Sequence, residues 1–183
     1  IRDFNPLCDF FIINISSPNT KGLRDLQSKK FITELMKEAK KLAQKPILLK
    51  ISPDMSEKEA LNLCEEALKL GIAGFIIANT SVDYSLLDNN RTFGGISGRL
   101  IEQKSGAFFK ALSKELFGKA LLIASGGIDS AEIAYERIKC GANLVQVYTG
   151  LVFKGPTLVR DINKGLLQLL KKDGFLHISE AVG

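Results

Sequence analysis

Short apolar runs alternate along this chain with longer segments in which apolar residues recur at helical spacing. The runs are Phe10–Ile15, Ile47–Ile51, Phe75–Ala78, Leu121–Ala124 and Leu144–Val147, each strand-sized and rich in β-branched or aromatic residues. Between them, Phe31–Ala43, Ala60–Leu70 and Gln103–Phe117 carry the helical period. Capping signals frame the helices. Ser56-Glu-Lys-Glu59 reads as a capping box ahead of a helix stopped by Gly71, Asp129-Ser-Ala-Glu132 opens a helix closed by Gly141, and Pro156 suits the first turn of a last helix to about Lys172. The alternation predicts an α/β fold of parallel strands with helical crossovers, in one domain spanning 1–183. Both a (β/α) barrel and an open doubly wound sheet satisfy it. The first run, five apolar residues interrupted by Asn14, predicts a strand buried on both faces. Ser85–Thr92 is the most loop-like interval and the candidate for a mobile lid.

Each apolar run ends in polar or small residues. The first ends in Asn14 and Ser17, with Asn19 and Thr20 just beyond; the second in Lys50, the third in Asn79-Thr80, the fourth in Ser125-Gly-Gly127 and the fifth in Tyr148-Thr-Gly150. Parallel strands bring these ends to one face, where such folds keep their sites. Lys50 is the most informative of them. It sits inside Ile47-Leu-Leu-Lys-Ile51, and a buried unpaired ammonium costs on the order of several kcal/mol, so an anion is expected to meet it. Two uses fit: a fixed cation beside an anionic ligand, or a Schiff-base amine. Glycines directly after a strand let backbone N–H groups approach an anion, which points to a phosphorylated ligand near Gly127, Tyr148 and Thr149, and Gly94-Gly-Ile-Ser-Gly98 is a second loop of this kind.

Composition narrows the chemistry. With 45% hydrophobic residues in 183, the chain can bury a full core. The net charge of +5 arises from lysines and arginines spread over helix faces and not interleaved with aromatics, which argues against nucleic-acid binding. Cys8, Cys64 and Cys140 are odd in number and far apart, and read as reduced thiols. A single histidine, His177, supports neither a Ser-His-Asp triad nor a histidine-rich metal site, and no metal is expected. No apolar run reaches membrane-spanning length.

Taken together, Asn14-Ile-Ser-Ser-Pro-Asn-Thr20 with Gly22-Leu-Arg24, Lys50-Ile-Ser-Pro-Asp54, Asn79-Thr80, Gly94-Gly-Ile-Ser-Gly98, Ser125-Gly-Gly-Ile128 and Leu144-Val-Gln-Val-Tyr-Thr-Gly150 with Phe153-Lys-Gly-Pro156 resemble the dihydroorotate dehydrogenases in order and spacing. The pair Ser16-Ser17 resembles the quinone-dependent, class 2 branch, since class 1 enzymes carry Cys at the second position. The resemblance implies a (β/α) TIM barrel with FMN, oxidising dihydroorotate to orotate in pyrimidine synthesis with quinone as final acceptor. It implies Ser17 as the base that removes the C5 proton, relayed through Thr20; FMN contacts from Asn14, Lys50, Ala78, Gly98, Gly127, Tyr148 and Thr149; and substrate contacts from Asn14, Asn19, Asn79 and Thr80. Ala78 stands where the family usually carries Thr, so one hydroxyl near the flavin is lost.

Five strand candidates set against the eight of a complete barrel imply a C-terminal portion lacking the first three strands and the helical extension through which class 2 members meet membrane and quinone. For the full-length protein the resemblance implies a peripheral place on the cytoplasmic face of the bacterial inner membrane, or on the mitochondrial inner membrane. An unclosed set of strands is expected to self-associate, to bind FMN poorly and to be inactive alone. A Schiff-base lyase or aldolase built on Lys50 is the alternative enzyme. A non-catalytic half-barrel retained for assembly is the alternative outside enzymology.

Overall fold

The computed structural model describes residues 1–17, 29–88 and 92–183. Five strands, β1 (Phe11–Asn14), β2 (Ile47–Ile51), β3 (Gly74–Ile77), β4 (Leu121–Ser125) and β5 (Leu144–Gln146), lie in one sheet in the order of the chain, and every neighbouring pair is parallel. Helices α1 (Lys29–Leu42), α2 (Glu57–Lys69), α3 (Glu102–Leu116) and α4 (Ala131–Lys139) separate the strands, and α5 (Thr149–Lys154) and α6 (Leu158–Asp173) follow. A doubly wound sheet reverses its strand order and carries helices on both faces. This sheet has no reversal, and its helices cover one face, as in part of a barrel.

Strand periodicity explains the packing. Ile47, Leu49, Ile51, Phe75, Ile77, Leu122 and Ala124 project toward the helices and join one core with Met36, Cys64, Phe109, Leu112 and Ile162. Their neighbours Leu48, Ile76 and Ile123 form a separate three-residue cluster on the opposite face. Gly74 is required where β3 meets β4, because a Cβ there would lie 2.3 Å from the Leu121 carbonyl oxygen. The first strand departs from expectation. Phe11 and Ile13 are half-buried against the core, but Ile12 and Asn14 on the other face are exposed. β1 is an edge strand whose inner side has few neighbours among the described residues, so apolar character alone did not bury it.

The caps follow the sequence at α2, and at α4 the structure picks out one residue of the opening tetrad. Ser56 closes a reciprocal capping box, its Oγ accepting from the Glu59 N–H while Glu59 Oε2 accepts from the Ser56 N–H at 3.1 Å. At α4 the cap is Ser130 and not Asp129: Ser130 Oγ accepts from the Ile133 N–H at 3.3 Å. Asp129 is drawn instead to two cations described below. Pro156 precedes Thr157, the cap of α6, so it lies just outside the first turn, and the helix ends at left-handed Gly174.

In the expected lid, Tyr84–Leu86 forms one 3-10 turn, and residues 89–91 lie outside the described part. A bridge between Ser81 and Ile96 closes the base of this excursion, and Tyr84 Oη donates to the Gly94 carbonyl at 2.9 Å. All three cysteines are free, and burial pushes the Cys64 thiol up to about 12. Among the described residues no helix is long and apolar enough to cross a membrane.

Candidate active site at the strand mouth

The C-terminal ends of β2 to β5 surround a cleft of about 1250 Å³. Lys50, Ala78, Asn79, Thr80, Gly98, Gly127, Tyr148 and Thr149, all expected from sequence, line it. Asn14 joins them through hydrogen bonds, and Ser17, half-buried, follows directly on Ser16 in that same cluster. Asn19 and Thr20 lie outside the described residues.

The amides at the mouth have a fixed orientation. The Thr80 N–H can only donate, and it donates to Asn79 Oδ1 at 2.9 Å. Asn79 Nδ2 must then face the other way, where it donates to Asn14 Oδ1 at 3.1 Å and to Ser16 Oγ at 3.0 Å. The Ser16 N–H also donates to Asn14 Oδ1, at 3.3 Å. With its oxygen turned inward, Asn14 presents its NH2 group outward from an exposed position. Ser16, to which the sequence assigns no role of its own, is the keystone of this cluster. It is 1% exposed, and its Oγ also donates to the Lys50 carbonyl at 3.0 Å, tying β1 to β2. Strand parity was the available signal, since Ser16 shares the face of Ile12 and Asn14.

Lys50 projects from the same face as Leu48, half-buried at the cleft wall. Among the described residues no carboxylate pairs with its ammonium, and desolvation holds its pKa below the ordinary lysine value. Another part of the cleft lining is built from close backbone. Gly98 has φ +72, and a Cβ there would lie 2.8 Å from Thr149 Cγ2; Gly127 has φ +75, and a Cβ there would lie 2.4 Å from Glu102 Cα. Side chains are excluded at both points, leaving main chain to face the cleft. A half-buried cation, glycine-bared backbone and this volume fit a planar phosphorylated ligand, FMN included.

Two charge clusters were not anticipated. Behind the mouth, Lys104 Nζ donates to Asp54 Oδ1 at 2.9 Å, Asp83 Oδ2 at 3.1 Å and Ser81 Oγ at 3.1 Å. Burial pushes the Asp54 carboxyl up, but hydrogen bonds from Ser81, Lys104 and the Val82 N–H outweigh it and hold the pKa below the usual range. This network anchors the turn after β3 to α3. At the rim, Arg99 and Lys154 converge on Asp129.

A sequence model described as dihydroorotate dehydrogenase matches residues 1–170. The dihydroorotate dehydrogenase (quinone) of a Nitratiruptor species is 59% identical over 183 residues, covering 100% of this chain and 52% of that protein. Its counterpart from a Sulfurovum species is 57% identical over 180 residues, covering 98% and 51%. Among solved structures, DHODH in complex with ferulenol from Eimeria tenella is similar with a TM-score of 0.88 at 30% identity, covering 98% of this chain and 54% of that one. The chain spans about half the length of the curated relatives it matches.

Proposed function

Because the chain belongs to the dihydroorotate dehydrogenase family, we propose that it is one portion of a single FMN-binding (β/α) barrel whose complete protein oxidises dihydroorotate to orotate for pyrimidine synthesis and delivers the electrons to a quinone. The observation that carries the reading is Lys50, a half-buried ammonium with no carboxylate partner among the described residues, on the wall of a cleft that glycine-bared backbone also lines. In this reading Lys50, Gly98, Gly127, Tyr148 and Thr149 hold FMN, with Asn14 and Ala78 at its edge. When bound, FMN supplies the hydride acceptor.

The chain's own residues do the rest. Asn14, its amide locked by Asn79 and Ser16, offers two N–H donors to a carbonyl or carboxylate of the substrate. Asn79 uses both amide hydrogens on Asn14 and Ser16, so its part is chiefly to orient, with one lone pair of Oδ1 left for a ligand. Thr80 and Asn19 complete the substrate contacts. Ser17 Oγ takes the C5 proton. A hydroxyl is a weak base near neutral pH, so its own hydrogen leaves toward Thr20 in step with the loss of hydride from C6. Quinone contact and membrane attachment belong to the complete protein, peripheral to a bacterial inner membrane or its mitochondrial counterpart.

The test is Ser17→Ala in the full-length protein. The flavin absorbance is retained, and bleaching by dihydroorotate under anaerobic conditions slows by at least about a hundredfold. Unchanged bleaching removes Ser17 from this role. The lowered pKa of Lys50 also favours a second reading, a Schiff-base lyase, because an amine nucleophile must be neutral. Borohydride trapping of a carbonyl compound on Lys50 would support it, and absence of trapping in a flavin-loaded protein excludes it.

A further inference from the structure

At the rim of the cleft, two cations from separate elements share one carboxylate. Arg99, directly after Gly98, donates from Nε to Asp129 Oδ2 at 3.0 Å. Lys154, in the last turn of α5, lies 3.5 Å from the same oxygen and donates to the Asp129 carbonyl at 2.7 Å. All three residues line the cleft beside Gly98, Gly127 and Thr149. The Asp129 side chain is only 11% exposed, and its Oδ1 is buried without a hydrogen-bond partner among the described residues. Gly150 leaves room for it, since a Cβ there would lie 2.9 Å from Asp129 Cβ. Among the described residues the Arg99 guanidinium makes no hydrogen bond other than the one from Nε, and its side chain is 75% exposed.

Fold stability gives little reason for this convergence, because ion pairs with one exposed partner contribute only about 0–1 kcal/mol. Two cations share one carboxylate, and Glu132 lies within electrostatic reach of Lys154, so the positive charge at the rim is concentrated on the exposed Arg99 guanidinium. Glu102, whose backbone packs on Gly127, does not cancel it, since its carboxylate is held by Arg137 at 2.7 Å. Resting on the flavin reading above, we propose that Arg99 and Lys154, both positioned by Asp129, form a cationic lip that selects the phosphorylated flavin over its unphosphorylated nucleoside. The backbone donors at Gly98, Gly127 and Thr149 bind phosphate by geometry, and the lip adds charge that a neutral ligand cannot use.

The experiment measures affinities of the flavin-stripped full-length protein for FMN and for riboflavin, with and without Arg99→Gln combined with Lys154→Gln. The double variant is expected to weaken FMN about tenfold and leave riboflavin within about twofold, the scale of one or two charge-assisted hydrogen bonds. The FMN preference of the unsubstituted protein is expected to shrink as salt is raised, and that of the variant to stay flat. If the double variant loses both flavins, the ratio is read in Arg99→Gln alone, at a mostly exposed side chain. A protein that binds both flavins with a ratio unmoved by these substitutions overturns the lip and spares the flavin reading. One that binds neither flavin removes both.

Discussion

On β3, Phe75 and Ile77 point into a core that reaches α1, α2, α3, α4 and α6, whereas Ile76 between them meets Leu48 and Ile123 in a cluster of three. All five of these strand residues are buried, so exposure alone does not distinguish the two faces. What differs is the continuity of packing behind them. The helix-facing side is a closed apolar layer and supplies most of the stability. The inner side ends in a polar mouth, with Ile12 at 42% exposure on β1 and Leu144 at 53% on β5. One side holds the sheet together, and the other gives its polar ends somewhere to act.

The sharpest way to break this contrast is a graded series in the chain itself, followed by chemical denaturation. Ile77→Ala is expected to cost about 3–4 kcal/mol, Ile76→Ala about 2 kcal/mol and Ile12→Ala less than about 1 kcal/mol, because a cavity in a continuous core cannot collapse or fill with water as easily as one beside an open cleft. Equal costs at positions 76 and 77 would mean that the two faces are packed alike.

Lys50 tests the contrast at smaller amplitude. Its folded pKa is depressed, so the unfolded chain holds the proton more tightly, and the charged form penalises the fold below that value. The penalty is relieved as pH rises through the folded pKa toward the ordinary lysine value. Lys50→Met should therefore raise stability near neutral pH, by less than about 1 kcal/mol because water screens a half-buried group, and should flatten the alkaline rise. The same substitution should weaken FMN binding in the complete protein. A destabilised Lys50→Met chain would show that Lys50 serves the fold and not a ligand.

Much of this was legible from residue order. An ammonium inside Ile47-Leu-Leu-Lys-Ile51 and paired glycines after β4 announce a site wherever the strands end together, and the structure brings them together. Which partners those residues find was not legible. Lys104 lies 50 positions from Asp54, and Arg99 lies 30 from Asp129; such pairings depend on how far each helix reaches past its strand. Which residue of Asp129-Ser130 caps α4 was not legible for the same reason, since both are good caps locally and only the distant cations separate them. Burial of β1 failed because apolar content says which residues can be covered and not whether a neighbour is there to cover them.

The locked amides carry one more consequence. Asn79 gives both of its hydrogens away, and Asn14 is held oxygen-inward by receiving one of them. Deamidation of Asn79 would put a carboxylate at that place, which can only accept. Asn14 would then be pulled two ways, nitrogen-inward by that carboxylate and oxygen-inward by the Ser16 N–H that donates to its Oδ1, and the donor face shown to an incoming carbonyl would no longer be fixed. A single group exchanged at one remove would unlock the polarity of the surface that meets the ligand.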